Sequence, residues 1–287
     1  MLGLFLFLET RASEPMLPLS IFKNRIVSIA NLVSFLSGMG MFGSLTFVPL
    51  FFQGVLGASA TLSGNMQIPM SLGVMVTALI AGQLISRKGW FRQLGIISMV
   101  LVCTGIFLLS RLSPQSTYWN VISSMIFIGF GMGFQIPTFT IAIQNSVPRE
   151  ILGVATSTNT FLRSFGGSVG LAVLGSIVNT RFYSGIHSQI PQSLKDSLPM
   201  DSINAIAHNP QVLVNPAAKI QLQETLKNAG LSSEVYDQIM TALHQALSSA
   251  ITTAFLIAFF IILTGLVAAC FLKVKPFSKY DRQSPPR

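Results

Sequence analysis

The sequence predicts an all-α membrane protein with six transmembrane helices. Of its 287 residues, 51% are hydrophobic and only 9% are charged, and the mean hydropathy is +0.63. Soluble globular proteins carry roughly a quarter charged residues, so a soluble domain of this composition could not cover its apolar surface. The composition excludes a disordered chain, a secreted disulfide scaffold and most soluble enzymes.

Long apolar runs define the six predicted spans. A bilayer core of about 30 Å requires ~20 mostly apolar helical residues, because each backbone polar group must be paired within the helix. Six runs reach this length: 26–50, 63–85, 94–112, 118–141, 154–178 and 249–272. The run at 154–178 is the weakest, since it is rich in Gly, Ser and Thr and contains Arg163.

The remaining segments complete the predicted domain organisation. We expect residues 1–25 to be the end of a truncated helix followed by a cytoplasmic connector, although the apolar run 2–8 could also be an interfacial anchor. Spans one to five occupy 26–178, and span six occupies 249–272. Between them, 179–248 is expected to form a long exoplasmic loop with short helices. Residues 273–287 form a basic cytoplasmic tail.

The basic residues indicate the orientation of the spans. The formal net charge is +9. The basic residues of the short loops lie on every second connection between the spans, and an excess of Lys and Arg in short loops marks the cytoplasmic side. This side carries the following residues: Lys23, Arg25, Arg87, Lys88, Arg92, Arg149, Lys273, Lys275, Lys279 and Arg282. The charges therefore record topology rather than a nucleic-acid surface, and both termini are expected in the cytoplasm.

Two glycine motifs in the spans resemble enzyme motifs. Residues 38–43 match G-x-G-x-x-G, but a dinucleotide site needs a preceding strand. Residues 166–170 match G-x-S-x-G, but a nucleophile elbow needs a strand-to-helix turn and a histidine base, and no histidine lies in a predicted span. We interpret Gly166, Gly167 and Gly170 as helix-packing glycines and predict no enzyme activity, cofactor or metal.

The polar residues inside the spans are candidates for a substrate cavity. Arg163 lies roughly 14 Å along its predicted helix, where a charge usually faces a bundle interior or a water-filled cavity. It could contact substrate, neutralise a partner's carboxylate or bond backbone carbonyls at a helix break. Asn159 lies four residues before Arg163 and shares its helix face. Asn31, Gln67 and Gln135 could contact a ligand, although amides in spans more often link helices by hydrogen bonds. No Asp or Glu lies in a complete predicted span, so no proton-coupling carboxylate is apparent.

One loop resembles a motif of the major facilitator superfamily. Gly73 is followed after eight residues by GQLISRKGW at 82–90, similar to motif A, G-x8-G-x3-D-R-x-G-R. Gly82, Arg87 and Gly89 match the motif, whereas Ser86 and Trp90 replace its aspartate and final arginine. Such departures are usual in the second-half copy of the motif.

Longer strings resemble the C-terminal half of the 14-span drug:proton antiporters of that superfamily. They are EPMLPLSIFKNR at 14–25, VPLFFQGVLG at 48–57, QNSVP at 144–148 and FLRSFGGSVG at 161–170. The resemblance implies the C-terminal six-helix bundle of a major facilitator fold in a bacterial inner membrane. It also implies export of amphipathic, often cationic compounds by proton antiport with alternating access. The implied partners are the lipid bilayer, a small-molecule substrate and a missing N-terminal half or second copy. The alternative is a non-transporting remnant or partner subunit that packs against a full transporter.

Overall fold

The computed structural model describes residues 19–189 and 233–272, which are almost entirely helical. Short 3-10 turns occupy Leu19–Lys23 and Arg149–Ile151. The α-helices of the described residues are α1 (Arg25–Gly54), α2 (Ala60–Asn65), α3 (Ile68–Lys88), α4 (Phe91–Ser110), α5 (Tyr118–Gln144), α6 (Leu152–Gln189) and α7 (Ser233–Cys270).

Six helical segments are long and apolar enough to cross a membrane, which confirms the predicted fold class. The segment with α2 and α3 forms one of them, and α1 and α4 to α7 account for the other five. The weak Gly-rich span is among them as α6. Its small residues do not interrupt the helix, because neighbouring helices pack closely against them.

The bundle is built around a ring of four helices. Helix α1 contacts α5, α5 packs along α4, α4 contacts α7, and α7 closes the ring against α1. Helix α3 lies outside the ring on α5, while α6 lies against α1 and α7. Both peripheral helices are less buried than α1, α4 and α5. The polar residues at the contact between α1 and α6, which are Asn31, Ser34 and Asn159, are nevertheless buried.

Polar contacts fix the helix ends on the predicted cytoplasmic side. Asn24 caps α1, because its side-chain oxygen accepts a hydrogen bond from the Ile26 backbone N–H at 3.0 Å. The Asn24 amide also donates to the Ser146 carbonyl beyond α5, at 2.7 Å. At the start of α4, Arg92 donates to the Cys270 carbonyl at the end of α7, at 3.3 Å. These bonds tie together ends that are far apart in sequence.

Helices α6 and α7 extend beyond the bounds expected from hydropathy. The loop was predicted to span 179–248, whereas α6 continues to Gln189 and α7 begins at Ser233. The extensions remain helical because they pack on one another: Phe182, Ile186, Ile239 and Leu243 are buried in the same apolar core. The expected truncated helix at the N-terminus and the tail at 273–287 lie outside the described residues, as does the middle of the loop.

Candidate functional site

An amide cluster links α1 to α6 inside the bundle. Asn159 donates through Nδ2 to Asn31 Oδ1 at 3.0 Å and to Ser34 Oγ at 2.8 Å. All three side chains are buried, and Asn31 is only 1% exposed. Within the described part of the chain, the Nδ2 group of Asn31 has no hydrogen-bond partner. An unpaired buried donor of this kind costs about 1–3 kcal/mol, so this cluster has unused hydrogen-bonding capacity.

A second polar contact lies one turn further along α1. Gln135 of α5 donates through Nε2 to Ser37 Oγ at 2.5 Å. The Ser37 hydroxyl in turn donates to the Met99 sulfur at 3.5 Å, which is a weak acceptor. Gln135 and Ser37 are both buried. The polar side chains at 31, 34 and 37 thus follow one face of α1, because residues three apart are neighbours on a helix.

Arg163 of α6 borders a narrow cleft beside this second contact. The cleft lies between helices α1, α4, α5 and α6, and its lining residues are Ser37, Met41, Val102, Ile128, Met132, Gln135, Ile136 and Arg163. Its space is close to that of a single water molecule. Arg163 is half-buried, and no hydrogen bond or ion pair holds its guanidinium within the residues that the structure describes.

Glycines bring the backbones of α1 and α6 into direct contact at the same level. A Cβ added to Gly166 would overlap the Phe35 carbonyl oxygen, and one added to Gly170 would overlap the Met39 backbone. From the other side, a Cβ on Gly38 would overlap the Arg163 carbonyl. Gly167 receives the Phe42 ring rather than backbone. The Arg163 main chain is consequently fixed against α1.

The loop that resembles motif A is a tight turn between α3 and α4. Gly89 has a φ of 65° in the left-handed region, and its N–H donates to the Ile85 carbonyl at 3.0 Å. The Lys88 ammonium lies 4.6 Å from the Trp90 ring centroid, so the tryptophan that replaces the motif's arginine pairs with the preceding cation. Arg87 is exposed.

The two other motif glycines differ in their surroundings. A Cβ on Gly73 would lie 2.9 Å from the Phe130 ring, so this position requires a small residue where α3 crosses α5. A Cβ on Gly82 would meet nothing within 4 Å. Close packing therefore requires a glycine at position 73, and the left-handed turn favours one at position 89. Nothing in the surroundings of Gly82 requires a glycine there.

The structure brings together four of the five cavity candidates. Asn31, Asn159, Gln135 and Arg163 lie along the contacts of α1 with α5 and α6. Gln67 is separate from them, since it is the half-buried residue preceding α3 and does not line the cleft at Arg163.

Ser34 and Ser37 are site residues that the sequence analysis missed. Serines in helices commonly bond their own backbone, so composition does not single them out. The signal was their spacing of three and six residues from Asn31. In the described residues, the two enzyme-like glycine motifs lie inside α1 and α6 rather than after strands, and no three His, Cys, Asp or Glu side chains group together there.

Comparison with known proteins identifies the family. The model of the Major Facilitator Superfamily matches residues 6–171, which is more than half of the chain. The chain belongs to the Major Facilitator Superfamily. The resemblance of the 73–90 loop to motif A of this superfamily is therefore confirmed at the level of the family, and the chain is a multi-pass membrane protein.

Several curated members of the superfamily are similar along nearly the whole chain. Multidrug transporter protein MdtP of Bacillus subtilis is 36% identical over 280 residues, which cover 94% of this chain and 50% of the relative. Multidrug resistance protein 3 of the same organism is 31% identical, covering 93% of this chain and 49% of the relative. A tetracycline resistance determinant of Streptomyces rimosus is 27% identical, covering 94% and 79%.

The names of these relatives describe proteins that are longer than the region this chain matches. This chain spans about half the length of the two Bacillus subtilis proteins. One of these relatives is named a multidrug transporter, and the names of the other two refer to resistance. The six-helix bundle described above corresponds to one half of the major facilitator fold.

Proposed function

We propose that this chain is a six-helix half of an exporter of drug-like amphipathic compounds. The observation that carries the proposal is Arg163, which lines the same cleft as the buried Gln135 in a bundle of six spans. Among the described residues, no hydrogen bond or ion pair holds its guanidinium. An ionisable side chain at membrane depth is costly and usually marks a pathway for ions or substrates. The names of the relatives, multidrug transporter and tetracycline resistance determinant, support export rather than uptake.

The complementary half supplies the rest of the substrate cavity in this proposal. Transporters of this class bind substrate near the membrane midplane, between repeated halves. The cleft at Arg163 admits about one water molecule and is too small for a drug-like compound. We propose that an N-terminal half or a second copy of the chain packs against the bundle. Alternating access then arises from rocking of the two halves.

Proton antiport also depends on the complementary half. Helices α1 and α3 to α6 contain no Asp or Glu, and those of α7 lie near its start, at Glu234 and Asp237. A proton-carrying side chain in the membrane is usually a carboxylate or histidine. We propose that this group belongs to the other half, in a bacterial inner membrane with both ends of this chain in the cytoplasm.

Reconstitution of the two halves tests the proposal. The chain is expressed in everted vesicles either alone or together with the part of Bacillus subtilis MdtP outside the matched region, and ethidium efflux is followed after energisation. We expect efflux from the pair and none from the chain alone. Efflux with the chain alone would refute the requirement for another half. Absence of efflux from a pair that co-purifies would favour the non-transporting partner subunit.

Arg163→Ala in the pair tests the role of the arginine. If Arg163 contacts substrate, this variant loses ethidium efflux while its amount in the membrane is unchanged. Arg181→Ala is the matched control, because Arg181 is an exposed arginine on the same helix. Loss of the Arg163→Ala protein from the membrane would instead indicate a structural role for Arg163.

A further inference from the structure

The turn between α3 and α4 carries a patch of exposed cations. Arg87 and Lys88 end α3, Arg92 lies in the first turn of α4, and all three side chains are exposed. The sequence has no Asp or Glu between residues 15 and 149. Within the described part of the chain, none of the three cations forms an ion pair. The patch therefore carries positive charge that no described carboxylate neutralises.

Arg92 connects this patch to the end of α7. Its Nη2 donates to the Cys270 carbonyl at 3.3 Å. Helices α4 and α7 pack closely at this level, since a Cβ added to Gly95 would lie 3.7 Å from the Leu272 side chain. A guanidinium has five N–H donors, so one bond to a carbonyl leaves most of them available. The carbonyl orients Arg92 without neutralising its charge.

An exposed tryptophan and exposed apolar side chains lie beside these cations. Trp90 is 38% exposed, and the Lys88 ammonium lies 4.6 Å from its ring centroid. Tryptophan rings are enriched at the headgroup level of membranes. On α7, Phe271 follows Cys270 directly, Val267 lies one turn earlier, and both are more than half exposed. Apolar side chains exposed at the end of a membrane span suit contact with acyl chains.

The chemistry of the patch fits an anionic phospholipid. A phosphate oxygen is a strong acceptor for guanidinium N–H groups, and basic side chains next to membrane spans attract anionic headgroups. A zwitterionic headgroup also carries an ammonium group, which these cations repel. Orientation of the spans requires only positive charge in the short loops. It does not require a guanidinium held by a carbonyl next to a tryptophan and an exposed apolar strip.

We propose that Arg87, Trp90 and Arg92 form a binding site for the headgroup phosphate of an anionic phospholipid. The phosphate accepts hydrogen bonds from Arg92, and one acyl chain lies along Val267 and Phe271 of α7. This inference goes beyond the proposed function, because the lipid is neither the exported compound nor the complementary half.

The two tryptophans of the sequence permit a local measurement of lipid preference. Trp90 precedes α4, whereas Trp119 lies in the first turn of α5, at the opposite end of the bundle, and is 73% exposed. Trp119→Phe leaves Trp90 as the only fluorophore of its kind, and Trp90→Phe leaves Trp119. The full chain is reconstituted in vesicles of phosphatidylglycerol and phosphatidylcholine, with one of the two lipids brominated near the headgroup end of an acyl chain. Because bromine quenches tryptophan fluorescence on contact, the quenching gives the relative affinity of the two lipids at each tryptophan.

A site at the turn predicts different preferences at the two tryptophans. We expect phosphatidylglycerol to be preferred about fivefold at Trp90, the effect of roughly one cation–headgroup contact, and less than about twofold at Trp119. Equal quenching by the two lipids at Trp90, or the same preference at both tryptophans, would overturn the proposal.

Substitutions in the Trp119→Phe protein assign the preference to Arg92. Arg92→Gln should bring the preference at Trp90 close to one, and Arg92→Lys should retain part of it, because an ammonium keeps the charge but not the fork of donors. Arg149→Gln is the matched control, because Arg149 is an exposed arginine on the same predicted side, in the connection before α6. It should leave the preference unchanged.

Two outcomes of these substitutions would refute the site. One is an undiminished preference in Arg92→Gln. The other is an equal loss in Arg149→Gln, which would show that the overall surface charge attracts the lipid. Arg87→Gln provides a second variant if the Arg92→Gln protein does not fold, and it should also lower the preference.

Discussion

Gly166→Ala is expected to separate α1 from α6 and to lower the stability of the bundle. A Cβ at this position overlaps the Phe35 carbonyl oxygen and lies 2.9 Å from its carbonyl carbon and 3.0 Å from its Cα. Carbon atoms in favourable contact are about 3.5–4.0 Å apart. Because these atoms belong to the backbone, no change of rotamer relieves the overlap, and the helices must move apart by about 0.5–1 Å.

The size of this movement determines the expected loss. The Asn159 hydrogen bonds across the same interface measure 2.8 Å and 3.0 Å, so a separation of about 0.7 Å takes them to the limit of hydrogen-bond geometry or beyond it. Overpacking of a filled interior typically costs about 1–3 kcal/mol. We expect Gly166→Ala to be destabilised by an amount in this range.

The assay compares Gly166→Ala with Gly153→Ala, a variant at a glycine of the same helix that has free space around it. A Cβ on Gly153 meets nothing within 4 Å, so Gly153→Ala adds the same methyl group without a clash. Purified proteins in detergent are heated in steps, and the fraction that remains monodisperse is measured by size-exclusion chromatography. The midpoint should fall clearly for Gly166→Ala and hold or rise for Gly153→Ala. Equal midpoints for the two variants would refute the argument that backbone contact requires Gly166.

Two further substitutions test individual contacts with the same heating assay. Asn159→Leu removes both hydrogen bonds to α1 and leaves Asn31 and Ser34 without their partner, which should cost on the order of 1 kcal/mol at the average strength of such bonds in membrane proteins. Asn179→Leu, at an exposed amide of the same helix, should have little effect, and equal midpoints would show that the amide cluster does not hold the helices together. At the turn after α3, Gly89→Ala should lower the midpoint by the equivalent of about 1–2 kcal/mol, because a Cβ is disfavoured at its φ of 65°. Gly89→Asn should lose less, since Asn tolerates this conformation, and an equal loss would argue against strain at Gly89.

The six spans could be predicted because two independent signals in the sequence report them. Apolar length marks each helix, and the alternation of basic loops requires an even number of crossings. The second signal supported the weak span around Arg163, where hydropathy alone was ambiguous. Both signals are local properties of the chain, so no knowledge of packing was necessary.

The helix ends at α6 and α7 could not be predicted in this way. Residues after 178 include Arg181 and Tyr183, which hydropathy assigns to a loop. In the structure these residues are exposed on a helix whose other face, at Phe182 and Ile186, is buried. Hydropathy reports where the membrane ends, whereas packing determines where the helix ends.

The pairing of polar residues also required the fold. The sequence indicated that Asn31 and Asn159 could bond across helices or contact a ligand, and these residues are 128 positions apart. In the structure the Asn159 amide donates to side chains of α1, while the guanidinium of Arg163, one turn later, has no hydrogen bond or ion pair with the residues that the structure describes. Two polar residues one turn apart on α6 thus have different surroundings, and only the packing of α1 on α6 distinguishes them.

Because α6 is long, a small tilt of the helix near Arg163 would displace its far end by several ångströms. From Arg163 to Gln189 the helix extends about 39 Å, and a tilt of 5° about the cleft would shift its far end by roughly 3 Å. That end is coupled to α7, because Gly185 lies close enough to Ala246 for an added Cβ to sit 3.1 Å away. A small rotation at the arginine would therefore be enlarged at the far end of α6, where a pair of spectroscopic labels would follow it without disturbing the cleft.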